Sequence, residues 1–254
     1  MRVGVTATKG GAAAGAGEVG SLEAKMSEIG LFEAMYTARA LRKLKPDPVP
    51  EELIFRVLEA GTRAGSGGNA QRWAFIVVRD AAQRCKLGEI YRRGSDISAE
   101  VYARRGRPPH LSDEQFQKMM TAGAHLWDHM GEAPVLLVPC IESNTLPPRE
   151  AFPPAIRARY NDLAVYQQLI RGASIYPAVQ NIILACRAVG LATLITTNHL
   201  YYEAELRSVL GIPDEMFPCA LMPIGWPIGK FGPVNRRPVS EVAFADQWGT
   251  PLVT

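Results

Sequence analysis

The segment Ala64–Val78 reads AGSGGNAQRWAFIVV. Five small or flexible residues, Ala64 to Gly68, lead into two carboxamides, Asn69 and Gln71, and then into an unbroken apolar run from Trp73. A backbone with so few Cβ atoms can lie against a flat ligand and offer it N–H groups, a hydroxyl and two amides. The apolar run predicts a strand that holds this edge still. An ordinary helix-to-strand turn has the same composition, so the neighbouring residues decide between the two.

Immediately upstream, Pro50 with Glu51 and Glu52 starts a helix whose buried stripe is Leu53, Ile54, Val57 and Leu58, and this helix runs straight into the Gly-rich loop. Before it, Leu31, Phe32, Met35 and Tyr36 recur at helical spacing. They predict a first helix that carries Arg39 and Arg42 on one face near its end. The prolines of Lys45-Pro46-Asp47-Pro48 break the two apart. Downstream, Asp80 opens a helix with a basic tip at Tyr91-Arg92-Arg93. From about residue 94 to 126 the pattern loses its period and turns polar, which predicts an inserted, lid-like segment.

Pro134–Pro139, PVLLVP, predicts a buried strand, and Cys140–Pro154 a proline-rich irregular connection. Ile175, Val179, Ile182, Ile183, Cys186 and Val189 form the longest clean helical stripe, closed by Gly190. Leu191–Thr197 returns as a strand, Tyr202–Leu210 as a short helix, and Phe217–Gly225 as a last strand before a Gly/Pro-rich tail with Arg236-Arg237. Helices and strands alternate without a break in composition. This predicts one domain over residues 29–254, preceded by a disordered Gly/Ala-rich tail over 1–28.

Composition narrows the function classes. The 254 residues are 47% hydrophobic, enough for a sizeable core, and 28 Lys+Arg against 25 Asp+Glu leave a net charge of +3. That balance argues against a nucleic-acid or membrane-surface partner. Cys85, Cys140, Cys186 and Cys219 are far apart and mostly inside apolar runs, which predicts reduced thiols in a cytoplasmic protein. No run in the sequence is read as a membrane span.

Four arginines, Arg39 and Arg42 at one end and Arg236 and Arg237 at the other, make an anion site if the ends meet, because guanidinium forks bind phosphate at any working pH. Solvated surface arginines fit the spacing equally well. His125 and His129 share a helical face, but the carboxylate of a zinc-protease helix is missing and no third ligand has a position, so no metal is predicted. Gly225-x-x-x-Gly229-Lys230 is one residue short of a phosphate loop and ends in Phe231, and neither GxGxxG nor GxSxG is present.

These residues match a known pattern. ARALRKLKPDPVPEELIFRVLEAGTRAGSGGNAQRWAFIVVRD (Ala38–Asp80) resembles the opening of the nitroreductase-like flavoproteins: Arg-Ser-x-Arg, a Pro-Val-Pro helix start, then Ala-Pro-Ser-x-x-Asn-x-Gln-Pro-Trp and a strand. SIYPAVQNIILACRAVGLATLITT (Ser174–Thr197) is similar to the family's central helix and following strand, and LGIPDEMFPCALMPIGWP with NRRPVSEV to its C-terminal end. Three separated segments agree in order. The resemblance implies an α+β fold, an α/β/α sandwich around a mixed, mainly antiparallel sheet, in an interlocked homodimer with FMN at the subunit interface. NADH or NADPH would reduce the flavin, and the flavin in turn a flat small-molecule electrophile such as a nitroaromatic or quinone, by a ping-pong mechanism.

On that resemblance Arg39 and Arg42 take the Arg-x-x-Arg positions at the FMN phosphate and the pyrimidine edge, and one of Arg236 and Arg237 closes the phosphate site. Ser66, Asn69 and Gln71 reach the flavin from the partner subunit, and Thr196 and Thr197 turn backbone amides toward N5. Cations and N–H groups there stabilise the charge that reduction leaves near N1, and no side chain need act as a nucleophile. Three positions depart from the pattern: Ala40 stands for Ser, Gly65 for Pro and Arg72 for Pro, which predicts a looser loop. The resemblance leaves as alternatives another flavin reaction on the same fold, reductive dehalogenation, flavin fragmentation or dehydrogenation, or a non-catalytic FMN-holding protein.

Overall fold

The computed structural model describes residues 29–143 and 146–252; the tail predicted over 1–28 lies outside them. Eight α-helices are described: α1 (Leu31–Thr37), α2 (Glu51–Thr62), α3 (Ala81–Arg105), α4 (Asp113–His129), α5 (Pro154–Arg157), α6 (Tyr160–Ile170), α7 (Gly172–Ala188) and α8 (Glu203–Leu210). The five strands are β1 (Trp73–Val78), β2 (Val135–Glu142), β3 (Ala192–Thr193), β4 (Met216–Pro218) and β5 (Met222–Gly225).

Strand β2 organises the molecule. Its alternate residues Val135, Leu137 and Ile141 enter a core with Leu53, Ile54 and Val57 of α2 and Ile175, Val179 and Ile182 of α7. Leu136, Val138 and Cys140 enter a second core with Leu87 and Ile90 of α3, Leu126 of α4 and Leu206 of α8. Side chains of a strand alternate between faces, so a strand covered by helices on both sides reads as a continuous apolar run rather than an alternating one. The result is the sandwich of helix, sheet and helix. The sheet order is β1-β2-β5-β3, with β4 also on β2. Every pairing between these strands is antiparallel, so the mixed sheet expected from the resemblance has no parallel pair among the described residues.

Several sequence expectations need correction. Helix α1 stops at Thr37, whose Oγ1 bonds back to the Glu33 carbonyl, and the chain then turns tightly through Arg39 N–H to Thr37 O and Leu41 N–H to Arg39 O, 2.8 Å each. Arg39 and Arg42 therefore leave the helix and do not share a helical face. Residues 94–126 are not irregular: α3 runs on to Arg105, and α4 begins at a capping box of Ser112 and Gln115. The last strand is split into β4 and β5, and only Ala192–Thr193 of the stretch after α7 is a strand. Helices α6 and α7 run together as a 29-residue stretch, Tyr160–Ala188, that is long and apolar enough by length and composition to cross a membrane. It carries Pro177, and its second half packs into the first core.

Close approach of backbones sets two helix positions. Gly61 of α2 faces Ile182 of α7, with a Cβ there placed only 2.7 Å from the Ile182 side chain. Gly94 of α3 lies against the turn at residues 198–202, where a Cβ would collide with the Asn198 carbonyl oxygen and sit 2.8 Å from its carbon. The side chains around Gly94 fasten the same contact: Asn198 Nδ2 donates to Ser95 Oγ and Ser98 Oγ donates to Asn198 Oδ1, both at 2.9 Å.

Candidate functional site

The α3–α4 pair and the strand exit at Thr196 enclose a cavity of about 220 Å³. Arg42 lines it together with Thr196, Thr197, Tyr91, Tyr102 and Trp127. Arg42 donates to the Ala40 carbonyl at 3.3 Å and makes no ion pair among the described residues. Burial lowers its pKa from the ordinary value. A half-buried guanidinium without a carboxylate partner is a standing demand for an anion or for several acceptors. Burial also raises the pKa of the Tyr91 hydroxyl, opposed by hydrogen bonds with Ser95 and Thr196. Thr196 Oγ1 in turn donates to the Leu221 carbonyl, fixing the strand exit to the sheet.

The two arginine-bearing segments do meet, through Arg187 at the last turn of α7. Its Nε donates to Thr37 Oγ1 at 2.8 Å, its Nη2 lies 3.6 Å from Glu33, and its guanidinium stacks 4.3 Å from the centre of the Phe231 ring. The N–H of Val234 bonds to the Tyr36 carbonyl at 2.9 Å, and the Arg39 guanidinium lies against Gly232. One largely shielded cation thus ties the segment carrying Arg39 to the segment carrying Arg236 and Arg237. Arg237 is occupied, 2.9 Å from Glu241. Arg39 and Arg236 form no ion pair among the described residues, and Arg236 bonds only to the adjacent Asn235 carbonyl. Of the two C-terminal arginines, Arg236 is the one whose charge is uncommitted.

The Gly-rich loop stands apart. Ser66 and Gln71 line a second cavity of about 800 Å³ with Arg72, Glu142, Tyr166 and Ser174, and none of its residues borders the Arg42 cavity. The loop is tied down rather than loose. Gln71 N–H donates to Ser66 Oγ at 3.0 Å, Gly67 N–H to Ser174 Oγ at 3.1 Å, and Gln71 Nε2 to Asn69 Oδ1 at 3.1 Å. Asn69 and Gln71 hold left-handed backbones, φ 52° and 51°, beside Gly68 at 60°. Non-glycine residues there are strained by about 1 kcal/mol each, which the loop's own bonds offset. The stiffness lost at Gly65 and Arg72 is restored by these bonds.

His125 and His129 stack at 4.3 Å, and His129 Nδ1 is 2.9 Å from Glu132, but among the described residues no group of three or more ligating side chains forms. Cys140, Cys186 and Cys219 are buried and free, and Cys85 is exposed; burial pushes the Cys140 thiol up to about 11 and those of Cys186 and Cys219 to about 12, so all three are inert.

His199, which no sequence pattern marks, is fully buried directly behind Thr197 and Asn198. It faces the Pro218 carbonyl, yet neither ring nitrogen completes a hydrogen bond. Burial pulls its pKa down from 6.5 to about 4. The unfolded chain therefore takes up a proton near pH 6.5, whereas the folded one does so only near pH 4. The neutral ring's contribution is intact above pH 6.5 and is lost as pH falls toward 4. Melting temperatures measured across this window should fall with pH in the wild type and much less steeply in a His199→Phe variant; parallel slopes would refute the assignment.

A model of the Nitroreductase family matches residues 36–226. The chain is 28% identical over 226 residues to an NADH dehydrogenase of Thermus thermophilus, covering 87% of this chain and 98% of that protein. It is 27% identical over 210 residues to iodotyrosine deiodinase 1 of Rattus norvegicus, covering 81% of this chain and 65% of that protein. In fold it is similar to a crystal structure of oxidized iodotyrosine deiodinase bound to FMN and 3-iodo-L-tyrosine, with a TM-score of 0.60 at 20% identity over 87% of this chain and 100% of the other.

Proposed function

Since the chain belongs to the nitroreductase family, we propose that it is an FMN-dependent NAD(P)H oxidoreductase that reduces a flat electrophile, a nitroaromatic or a quinone, by a ping-pong mechanism. The observation that carries this reading is Arg42: a half-buried cation with no carboxylate partner among the described residues, sharing a cavity with Thr196 and Thr197. A ring edge bearing carbonyl oxygens and anionic character answers it, and the uncommitted pair Arg39 and Arg236 answers a phosphate. The residues present fit FMN.

FMN held there would supply the two-electron redox chemistry that links NADH or NADPH to the acceptor. The chain's own part is to hold and bias it. Arg39 and Arg236 would hold its phosphate. Arg42 would favour negative charge on the bound ring, and the backbone at Thr196 and Thr197, which lines the same cavity, would offer it N–H groups. Tyr91, Leu126 and Trp127 narrow the space and keep water out. For a nitroarene the balance is closed: NAD(P)H and one proton convert the nitro group to nitroso and water.

The same reading includes a homodimer: the Ser66–Gln71 loop and the Arg42 cavity are separate within one chain, and a second copy could bring them together. Large apolar side chains await cover: Phe32 is 67% exposed, Phe55 72% and Leu169 77%. A subunit interface would cover side chains of this kind. We place the protein in the cytoplasm, with NADH and NADPH both candidates. The match to iodotyrosine deiodinase favours a second reading, reductive dehalogenation on the same flavin. Purified protein should be a yellow dimer that is bleached by NADPH under nitrogen and recoloured by a nitroaromatic or a quinone. Recolouring by 3-iodotyrosine alone would move the activity to the second reading, and a colourless monomer that takes up no FMN would sink both.

A further inference from the structure

We infer that the acceptor reduced by this protein carries an anionic group on its ring, bound by Arg105 in a cavity at the mouth of the candidate site. This inference rests on the oxidoreductase reading and adds the substrate class to it.

Six arginines stud α3 and its exit, and five are engaged: Arg84 donates to the carbonyls of Arg79, Gly131 and Ala133, and the other four are ion-paired. Arg92 lies 3.4 Å from Asp96, Arg104 2.6 Å from Glu100, Arg107 2.7 Å from Asp113, and Arg93 bonds Glu205. Arg105 alone of the six has neither an ion pair nor a hydrogen bond among the described residues. Its place in the last turn of α3 explains why a cation is tolerated there, but Arg104 enjoys the same helix end and is paired. What distinguishes Arg105 is that it lines a cavity of about 410 Å³, within the range of about 300–1,000 Å³ that small-molecule sites occupy.

The walls of this cavity suit a flat ring. Tyr102 and Tyr201 are 45% and 52% exposed, leaving aromatic faces free for stacking. Its floor is Ser98 and Asn198, locked to each other and to Ser95. Tyr102, Thr197 and Asn198 border both this cavity and the one lined by Arg42. A ligand anchored on Arg105 would thus extend across Thr197 toward the redox site. A neutral acceptor would leave the guanidinium with nothing to bind, whereas a carboxylate para to the reacting group would reach it.

The nicotinamide donor also joins an aromatic ring to anionic groups, so the test separates the two sources. With the FMN-loaded dimer, steady-state kinetics are compared for 4-nitrobenzoate and its neutral isostere 4-nitrobenzamide, in wild type, Arg105→Gln and Arg105→Lys. Binding of 4-nitrobenzoate is followed in parallel by difference-absorbance titration of the oxidised holoenzyme. Wild type is expected to favour the carboxylate. Arg105→Gln should cut the benzoate-to-benzamide ratio of kcat/KM by about tenfold, through KM rather than kcat, with a matching rise in dissociation constant. Arg105→Lys should restore most of it. An unchanged ratio, a wild-type preference for the amide, or an effect confined to the KM of NADPH or NADH overturns the inference and leaves the oxidoreductase reading standing. A wild type that binds FMN but reduces neither compound overturns both.

Discussion

Arg39→Ala is expected to weaken FMN binding by about 10- to 100-fold while leaving riboflavin binding almost unchanged. A charge-assisted hydrogen bond contributes about 1.5–3 kcal/mol, and each 1.4 kcal/mol is about tenfold in dissociation constant. The difference between the two flavins is the phosphate, so only a contact to the phosphate alters their ratio. Arg236→Ala should behave alike and Arg237→Ala should not, because Glu241 already neutralises it. Arg187→Met is expected to erode the same ratio from a distance, by releasing Thr37 and Phe231. Fluorescence titration of apoprotein with FMN and riboflavin reads all four variants. Equal losses for both flavins in Arg39→Ala would mean that the residue supports the fold rather than the phosphate.

Gly94→Ala should produce the largest change in stability of any single methyl group. The new Cβ would collide with the Asn198 carbonyl, whose carbon lies 2.8 Å away, and that group belongs to backbone that cannot swing aside as a side-chain tip can. Relief requires α3 and the 198–202 turn to part, breaking the bonds from Asn198 to Ser95 and Ser98. Overpacking of this severity costs about 3 kcal/mol, which in a chain of this size lowers the melting temperature by roughly 6–12 °C. Since Thr197 and Asn198 border both small cavities, flavin affinity should fall in the same variant. Calorimetry and flavin titration together provide the check. A melting temperature within about 2 °C of wild type, the range of a benign surface substitution, would show that the two backbones can part at little cost.

Much of the architecture is legible in the sequence because its signals are apolar and periodic. The stripes of α2 and α7 and the runs of β1 and β2 are made of large aliphatic residues. Helix α3 beyond Tyr91 is not legible, although its buried positions Leu87, Ile90, Tyr91, Gly94, Ser95 and Ser98 keep helical spacing. Half of them are glycine or serine, suited to close approach to another backbone, so hydrophobic periodicity fades where the packing is tightest. The end of α1 is hidden for a different reason: Thr37 closes the helix with its own side chain, and nothing in the arginine spacing reveals this.

The candidate site is legible in part. Arg42, Thr196 and Thr197 stand out in the sequence and line one cavity, and the segments of Arg39 and Arg236 lie side by side. Pairing with Glu241, which separates Arg237 from Arg236, depends on side-chain geometry that spacing alone does not fix. Arg187 and His199 escape a reading of the sequence. Arg187 is largely shielded and His199 fully buried, and each meets neighbours distant in sequence.

Strand β2 supplies alternate side chains to both cores and is flanked in the sheet by β1 on one side and by β4 and β5 on the other. Neither helical layer can peel away without exposing one complete face of it. Its amide protons should therefore exchange with deuterium last of all, at the rate set by global opening of the molecule. The two layers, however different their sequences look, stand or fall together.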